Sequence, residues 1–500
     1  MESTRLDRRR LSTAALVFII IAASAPLTVL AGGIPTNYAV AGLLGVPQTY
    51  IVLGLILVLF AVGYTAMSRE IQNAGAFYAY VTEGLGNRQG IAAAILALVS
   101  YNMMQIGLYG LFGFAASNLI ANFTGLALPW WLTALAAWLI VALLGVRSID
   151  LSAKVLGVVV MLEFVVVVIV DIMAISIAPE GVSAAAFAAD EFFVPGIGVL
   201  LAFGVAAFMG FESGAIYSEE VVDPRRTVAR ATYIALIVIA LFYAFSAWAV
   251  GVGVGPSSVV EESQAFGPDL IFNWLGQHSP MLANFANLLF VTSLLAVLLA
   301  FHNAVARYFF ALGRSTVLPK ALGTTAPNGA PRNGSMMQSG LAFVVVAGFA
   351  IAGIGHELGD LFPVITLFTW LTNAAAFGLV FLLAVTSVAI IAWFRTNQLQ
   401  RGIWTRVIAP SVATIGLTAV FIMILVNFDL MIDAEAGSAL IYIMPGLIIL
   451  SGVLGLIWGE IIQRRRPQDY EEMRHQDMLS DDEEIAIAQG SLDDNERSTN

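Results

Sequence analysis

A carboxylate interrupts an apolar stretch near the middle of this chain, in the run AAFMGFESGAI. Glu212 lies between Gly210 and Gly214, and Ser213 follows it directly. A carboxylate in apolar surroundings binds a proton or a cationic partner, because burial disfavours its charged form. Each glycine costs a helix interior about 1 kcal/mol, so this pattern predicts a broken helix whose freed backbone groups face a cavity. The structural alternative is a protonated acid that is hydrogen-bonded to a neighbouring helix.

Two other apolar runs are interrupted, one by an acid and the other by a helix-breaking residue. Glu163 lies in the middle of one run, where it is either a structural residue, a second proton site or a partner for a cationic substrate. The run IIIAASAPLTVLAGG carries Ser24 and Pro26. Proline has no amide hydrogen and cannot complete a helical hydrogen-bond ladder, so we predict a second broken helix there.

The composition indicates that the solvent around these segments is lipid. The chain has 500 residues, of which 59% are hydrophobic and 11% are charged, whereas soluble domains carry about 25% charged residues. It has no cysteine and four histidines, and it shows no phosphate-binding loop, metal-ligand cluster or nucleophile with a base. We therefore expect an integral membrane protein that is not an enzyme, has no cofactor or metal and does not bind nucleic acid.

Twelve apolar segments are long enough to be considered as membrane spans, which need about 20 residues. Each is predicted to be helical, because a single segment satisfies its backbone in lipid only as a helix. The segments are 14–40, 45–67, 90–120, 128–146, 152–178, 197–218, 230–254, 281–312, 336–355, 362–393, 406–428 and 437–462.

The distribution of charge supports this count. With the N-terminus in the cytoplasm, all 23 Lys and Arg residues fall on the cytoplasmic side, as the positive-inside rule requires. We predict a plasma-membrane protein with both termini cytoplasmic. Its predicted parts are a cytoplasmic N-terminus (1–13), a transport core (14–393), two further helices (394–462) and an acidic cytoplasmic tail (463–500).

Three motifs, taken together with the twelve segments, resemble the amino acid–polyamine–organocation permease superfamily. They are REIQNAGAFYAYVTEGLG after segment 2, FMGFESGAIYSEEVVDPRRTVARA from segment 6 into its loop, and ARYFFALGRSTVLPKALG at the end of segment 8. The resemblance covers roughly residues 10 to 462. It implies ten core helices in two inverted five-helix repeats, broken helices 1 and 6 and a substrate site between them. It also implies transport of amino acids or related amines by proton symport or exchange.

The resemblance also assigns roles to residues. Ala23, Ser24 and Ala25 occupy the place of the family's Gly-Ser-Gly stretch, which exposes backbone to a substrate carboxylate. Glu212 matches a carboxylate that is linked to proton coupling in some members. Many relatives have a lysine near Glu163, so this chain departs from the family there. The remaining residues predicted to bind substrate are Phe208, Met209, Gly210, Phe211, Ser213, Phe301 and Tyr101.

Three alternatives to proton symport remain open at this point. A sodium-coupled symporter would favour paired Ser or Thr hydroxyls near Phe301, and the local run AFHNA has none. An amino acid exchanger on the same fold would use Glu212 as a gate or a substrate ligand. A nutrient sensor would signal through the acidic tail, and deletion of 467–500 would then abolish signalling, whereas transport by a transporter should survive the deletion.

Overall fold

The structure is a computed structural model of the whole chain. It describes residues 11–71, 77–146, 149–194, 196–217, 220–221, 223–326, 329–397, 402–432, 434 and 437–473. Most of the predicted acidic tail lies outside the described residues. Within them the chain is helical and contains no strand, which agrees with the predicted all-α class.

Within the described residues, the first half of the chain contains ten α-helices. They are α1 (Thr13–Ser24), α2 (Pro26–Thr28), α3 (Ile34–Ala41), α4 (Val46–Met67), α5 (Phe77–Leu85), α6 (Asn87–Thr124), α7 (Trp130–Gly145), α8 (Ile149–Ile177), α9 (Ile197–Val205) and α10 (Ser213–Ile216). A π-helical turn, Val29–Gly33, joins α2 to α3. The chain from Pro26 to Ala41 is therefore one continuous helical segment.

The second half contains ten more helices. They are α11 (Pro224–Val254), α12 (Val259–Phe266), α13 (Leu270–His278), α14 (Pro280–Arg314), α15 (Arg332–Ala352), α16 (Thr369–Thr396), α17 (Ala409–Val426), α18 (Phe428–Met431), α19 (Leu440–Arg465) and α20 (Pro467–Glu472). Short π-helical turns precede α16 and α17 directly.

Ten helical segments in the described part of the chain are long and apolar enough to cross a membrane. Two of the twelve predicted segments fall short of that length. Segment 4 is the helix Trp130–Gly145, and segment 6 is the helix Ile197–Phe208, which ends at the break before Glu212. Large apolar side chains such as Leu55 and Leu241 are 61% and 63% exposed. Such a surface is suited to lipid and not to water.

The helices that carry the predicted site pack together in the centre of the bundle. Helix α1 contacts α8, α11 and α14, while α6 contacts α14, α16 and α19. The short helix α10 contacts α1, α11 and α14. The residues around Ser24, Glu163, Glu212 and Phe301 are far apart in the sequence, but this packing makes the helices that carry them neighbours.

Candidate functional site

The first predicted helix break lies at Ala25. Helix α1 ends at Ser24, and Ala25 adopts a left-handed conformation with φ 49°. Pro26 then begins α2. The residue before a proline is sterically disfavoured from the right-handed helical region, and proline supplies no amide to the helix ladder. Both effects end α1 at this point and let the chain continue as a second helical segment.

The second predicted break lies in the run that carries Glu212. Helix α9 passes into a short 3₁₀ turn at Ala206–Phe208, after which Met209 is extended. Gly210 has φ 97°, a conformation that L side chains rarely adopt. The chain resumes as α10 at Ser213, whose side chain lies outside the described residues. Glycine is required at Gly210, because it lacks the Cβ that makes this region strained.

The two breaks pack directly against each other. A Cβ atom built on Gly210 would lie 2.5 Å from the Cβ of Ala23. Ser24 donates its hydroxyl hydrogen to the carbonyl of Ala207 at 2.7 Å. The hydroxyl of Tyr243 lies 2.6 Å from the same Ser24 oxygen, and since the Ser24 hydrogen is already used, Tyr243 is the donor. The breaks therefore form one hydrogen-bonded unit.

This contact makes Gly210→Ala a destabilising change. We expect a loss of about 2–5 kcal/mol, because a left-handed alanine costs about 1–2 kcal/mol and overpacking about 1–3 kcal/mol. Thermal unfolding of the purified protein in detergent measures this loss of stability. The matched control is Gly348→Ala in α15, where an added Cβ meets no atom within 4 Å. Equal melting temperatures for the two variants would contradict the close packing of the breaks.

Glu212 is buried at the second break, where its side chain accepts two hydrogen bonds. The amide of Gly210 donates to Oε2 at 3.1 Å, and the hydroxyl of Tyr101 donates to Oε1. The backbone carbonyl of Glu212 accepts a further bond from Tyr64 at 2.9 Å. Both groups that contact the carboxylate are neutral donors. Protonation of Oε1 would make that oxygen a donor toward Tyr101, so the protonation state of Glu212 and the arrangement of Tyr101 are linked.

Tyr101 connects Glu212 to helix α14. Its ring centroid lies 6.1 Å from that of Phe301 and 5.4 Å from that of Tyr308. Both partners belong to α14, so a movement of Tyr101 changes the ring contacts between α6 and the helix that carries Phe301.

A cavity of about 570 Å³ borders both breaks. Ala23, Ser24 and Ala25 form one part of its wall, and Met209 and Phe301 also border it. The remaining lining is mainly apolar, with a few hydroxyls, the amide of Asn373 and the carboxylate of Asp429. Its polar lining residues are Ser24, Thr28, Thr36, Tyr50, Thr369, Thr372, Asn373 and Asp429.

Two aromatic residues predicted to line the cavity do not border it. Phe208 packs against Tyr50 with ring centroids 6.4 Å apart, and Phe211 packs edge-to-face on Phe60 at 6.0 Å. Both side chains are buried among helices instead. They stabilise the turn on which Glu212 is placed. Tyr101 and Gly210 also lie outside the large cavity and border a void of about 10 Å³ beneath it.

Glu163 reaches the first break from helix α8. The amide of Leu27, in the first turn after Pro26, donates to Glu163 Oε2 at 3.2 Å. The side chain is fully buried, and its Oε1 atom has no hydrogen-bond partner. Close to Leu27, the hydroxyls of Thr28 and Ser293 lie 3.3 Å apart. The second predicted carboxylate is thus placed at the start of α2, the segment that follows the first break.

The sequence analysis missed a buried ion pair beyond Phe301. Arg307 donates from Nε to Glu220 Oε1 at 2.6 Å and from Nη2 to Oε2 at 3.1 Å. The guanidinium also lies 4.4 Å from the centre of the Tyr217 ring. Both charged side chains are at most 4% exposed. An arginine within an apolar run is costly without a partner, and this was the signal that could have located the pair.

This ion pair closes the end of the bundle on the far side of the breaks. Arg307 lies six residues after Phe301 on α14, toward its C-terminal end. The amide of Leu11 donates to the carbonyl of Glu220 at 3.0 Å, so the segment before α1 also covers the pair. A void of about 10 Å³ borders both Phe301 and Tyr217, and a void of this volume holds at most one water. The cavity itself extends the other way, to Pro268 and Asp429.

Long apolar helices, two of which break side by side at a central cavity, define a multi-pass membrane protein of the transporter class. Helix breaks at such a site supply backbone groups for binding a solute within the membrane. The chain belongs to the amino acid permease family, which matches it over residues 15–472. The resemblance found in the three sequence motifs is therefore confirmed.

Two relatives share part of the chain. Over 302 residues it is 25% identical to the low-affinity putrescine importer PlaP of Escherichia coli (strain K12). The same identity is found with the low-affinity putrescine importer PlaP of Escherichia coli O157:H7. The match covers 58% of this chain and 61% of each relative, so the chain spans less than two thirds of the length of these relatives.

Proposed function

We propose that this permease is a secondary active transporter that moves small amines or amino acids through the central cavity, driven by protons that bind Glu212. The observation that carries the proposal is the position of Glu212. Its carboxylate is buried at a helix break and hydrogen-bonded to Gly210 and Tyr101, three residues after Met209, which borders the cavity. The family and the putrescine importers named above support a solute of this class.

The proposed mechanism follows from the hydrogen bonds of Glu212. As a carboxylate it accepts from both Gly210 and Tyr101. When a proton binds Oε1, that oxygen becomes a donor, and Tyr101 then accepts its hydrogen or turns away. Because Tyr101 packs on Phe301 and Tyr308, this change alters the contact between α6 and α14. Protonation then shifts the equilibrium between states that open to opposite sides of the membrane.

The proposed topology has twelve spans in the plasma membrane, with ten of them arranged as two inverted five-helix repeats. The two short apolar helices, Trp130–Gly145 and Ile197–Phe208, cross together with the turns that extend them. Helix 6 continues through the break at Gly210 into α10, so the whole segment is longer than its first half. With this count both termini are cytoplasmic, and every Lys and Arg lies on that side, as the positive-inside rule predicts.

A transport assay in liposomes tests the proposal. The purified protein is reconstituted, and uptake of labelled amines and amino acids is followed under an inward proton gradient, with and without sodium. We expect the gradient to raise uptake and a protonophore to remove the effect. The hydroxyls of Thr28 and Ser293 are close enough to bind one cation together, so the sodium arm is measured with each substrate.

The other outcomes distinguish the alternatives. Uptake that depends on sodium but not on the proton gradient would identify a sodium symporter. Uptake only into preloaded liposomes would identify an exchanger, with Glu212 as a gate. If no substrate in the panel is taken up by folded protein, transport of amines and amino acids is contradicted, and deletion of 467–500 would then test a sensor.

A further inference from the structure

The amide that begins the outer part of broken helix 1 is already bound by a carboxylate of the protein. The first amides of a helix have no partner within the helix, and they attract anions such as a substrate carboxylate. Here Pro26 has no amide hydrogen, and the amide of Leu27 donates to Glu163 at 3.2 Å. Glu163 therefore occupies the first free amide of this helical segment, which is then not available to a substrate carboxylate.

The cavity itself offers no positive charge to a carboxylate. Of the described residues that border it, none is Lys, Arg or His, and the one charged residue is Asp429. Its other polar groups are hydroxyls and the amide of Asn373, which accept hydrogen bonds as well as donate them. A carboxylate entering this cavity would lose its water and meet Asp429 and, beyond Leu27, Glu163. An ammonium group would meet acceptors and one opposite charge.

The loops that lead to the cavity in the proposed topology are also negatively charged. In the proposed topology the outer loops contain acids such as Glu180, Glu261 and Asp269 and no Lys or Arg. Charges of one sign at an entrance raise the local concentration of oppositely charged solutes. The mainly apolar cavity wall, with Val297, Phe301 and similar side chains, is suited to the methylene groups of an aliphatic amine.

We infer that this permease selects aliphatic amines without a carboxylate over the corresponding amino acids, and that Glu163 is a residue that determines this specificity. The inference rests on the proposed transport function and names its substrate class. Glu163 acts in two ways: it occupies the Leu27 amide, and it places a negative charge behind that amide. Asp429 acts at the other end of the cavity, where it binds an ammonium group directly.

Pairs of substrates that differ by one carboxylate test the inference. Putrescine is compared with ornithine, cadaverine with lysine and agmatine with arginine, each in the liposome assay. For the unmodified protein we expect the amine to be taken up at least about tenfold more efficiently than its amino acid, a ratio that corresponds to about 1.4 kcal/mol. Asp429→Asn is expected to weaken apparent affinity for the amine by about tenfold, because a charge-assisted hydrogen bond is lost.

Variants at Glu163 separate its two effects. Glu163→Ala frees the Leu27 amide and removes the charge, so we expect amino acid uptake to rise and the amine preference to fall. Glu163→Gln keeps an acceptor for Leu27 and removes only the charge, so a smaller change is expected. Asp171→Asn is the matched control on the same helix, because that buried acid contacts Ser246 at 2.7 Å and does not border the cavity. It should leave the ratio unchanged.

The outcomes are distinct. Equal or greater uptake of the amino acids by the unmodified protein would overturn the inference and leave the proposed transport function standing. Uptake of neither member of any pair would contradict the transport function itself. If Glu163→Ala does not fold, Glu163→Gln still tests the role of Glu163, and the ratio for the unmodified protein still tests the preference for amines. An unchanged ratio in folded Glu163→Ala would remove Glu163 from the specificity mechanism.

Discussion

Glu212→Gln is expected to lose proton-driven accumulation of substrate while it still exchanges substrate across the membrane. Glutamine has the shape of a protonated glutamate. Its oxygen can accept from Gly210 and its nitrogen can donate to the oxygen of Tyr101, which are the two groups that contact Glu212. The variant therefore imitates the protonated state permanently and cannot release a proton. We expect uptake driven by the gradient to fall by at least about tenfold, which corresponds to about 1.4 kcal/mol, because a side chain that cannot release a proton cannot couple the gradient to accumulation.

Two measurements on the same liposomes distinguish coupling from folding. Uptake under an inward proton gradient reports coupling, and counterflow into preloaded liposomes reports binding and translocation. Asp171→Asn is the control, since it neutralises another buried carboxylate, which is bonded to Ser246 at 2.7 Å and does not border the cavity, and it should remain dependent on the gradient. Glu212→Gln liposomes that still concentrate substrate under the gradient would exclude Glu212 as the proton-coupling residue.

Glu220→Gln is expected to open the end of the bundle that the ion pair closes. Removing one partner of a buried ion pair costs about 3–5 kcal/mol, because the other charge stays buried without compensation. Arg307 is 3% exposed in the closed arrangement. The variant should therefore favour arrangements in which water reaches Arg307. A change of about 3 kcal/mol shifts a two-state equilibrium by more than about 100-fold.

The absence of cysteine from the sequence makes this opening measurable. Ala304→Cys places a single thiol beside the void of about 10 Å³ between Phe301 and Tyr217. We expect a hydrophilic maleimide to label this thiol slowly when the ion pair is intact and at least about tenfold faster with Glu220→Gln. This factor lies below the shift of more than about 100-fold expected for the opening equilibrium.

Two controls accompany the labelling experiment. Glu460→Gln breaks two solvent-accessible pairs, with Arg464 and Arg88, whose side chains are 77% and 46% exposed, and such pairs contribute little to stability. Its labelling rate should match that of the unmodified background. Replacing both Arg307 and Glu220 by methionine removes both buried charges and should restore slow labelling. Fast labelling in the unmodified background would show that the pair does not close this end.

The sequence by itself determined the class of the protein and the positions of the two helix breaks. A hydrophobic content of 59% with 11% charged residues is incompatible with a water-exposed surface of ordinary composition. The breaks depend on local covalent geometry, since Pro26 has no amide hydrogen and Gly210 adopts φ 97°. Such features act over a few residues, and the residue type alone reveals them. The family motifs were also found from residue types over short stretches of the sequence.

Only the tertiary structure decided which groups meet at the site. The bond from Leu27 to Glu163 joins residues 136 positions apart, and the pair Arg307–Glu220 joins residues 87 positions apart. The directions of Phe208 and Phe211, away from the cavity, also could not be predicted. A helix that faces lipid on one side and an apolar core on the other is hydrophobic all round, so its sequence has no polar face to show which side turns inward. Helix rotation and packing settle that choice, and with it the partners of every buried charge.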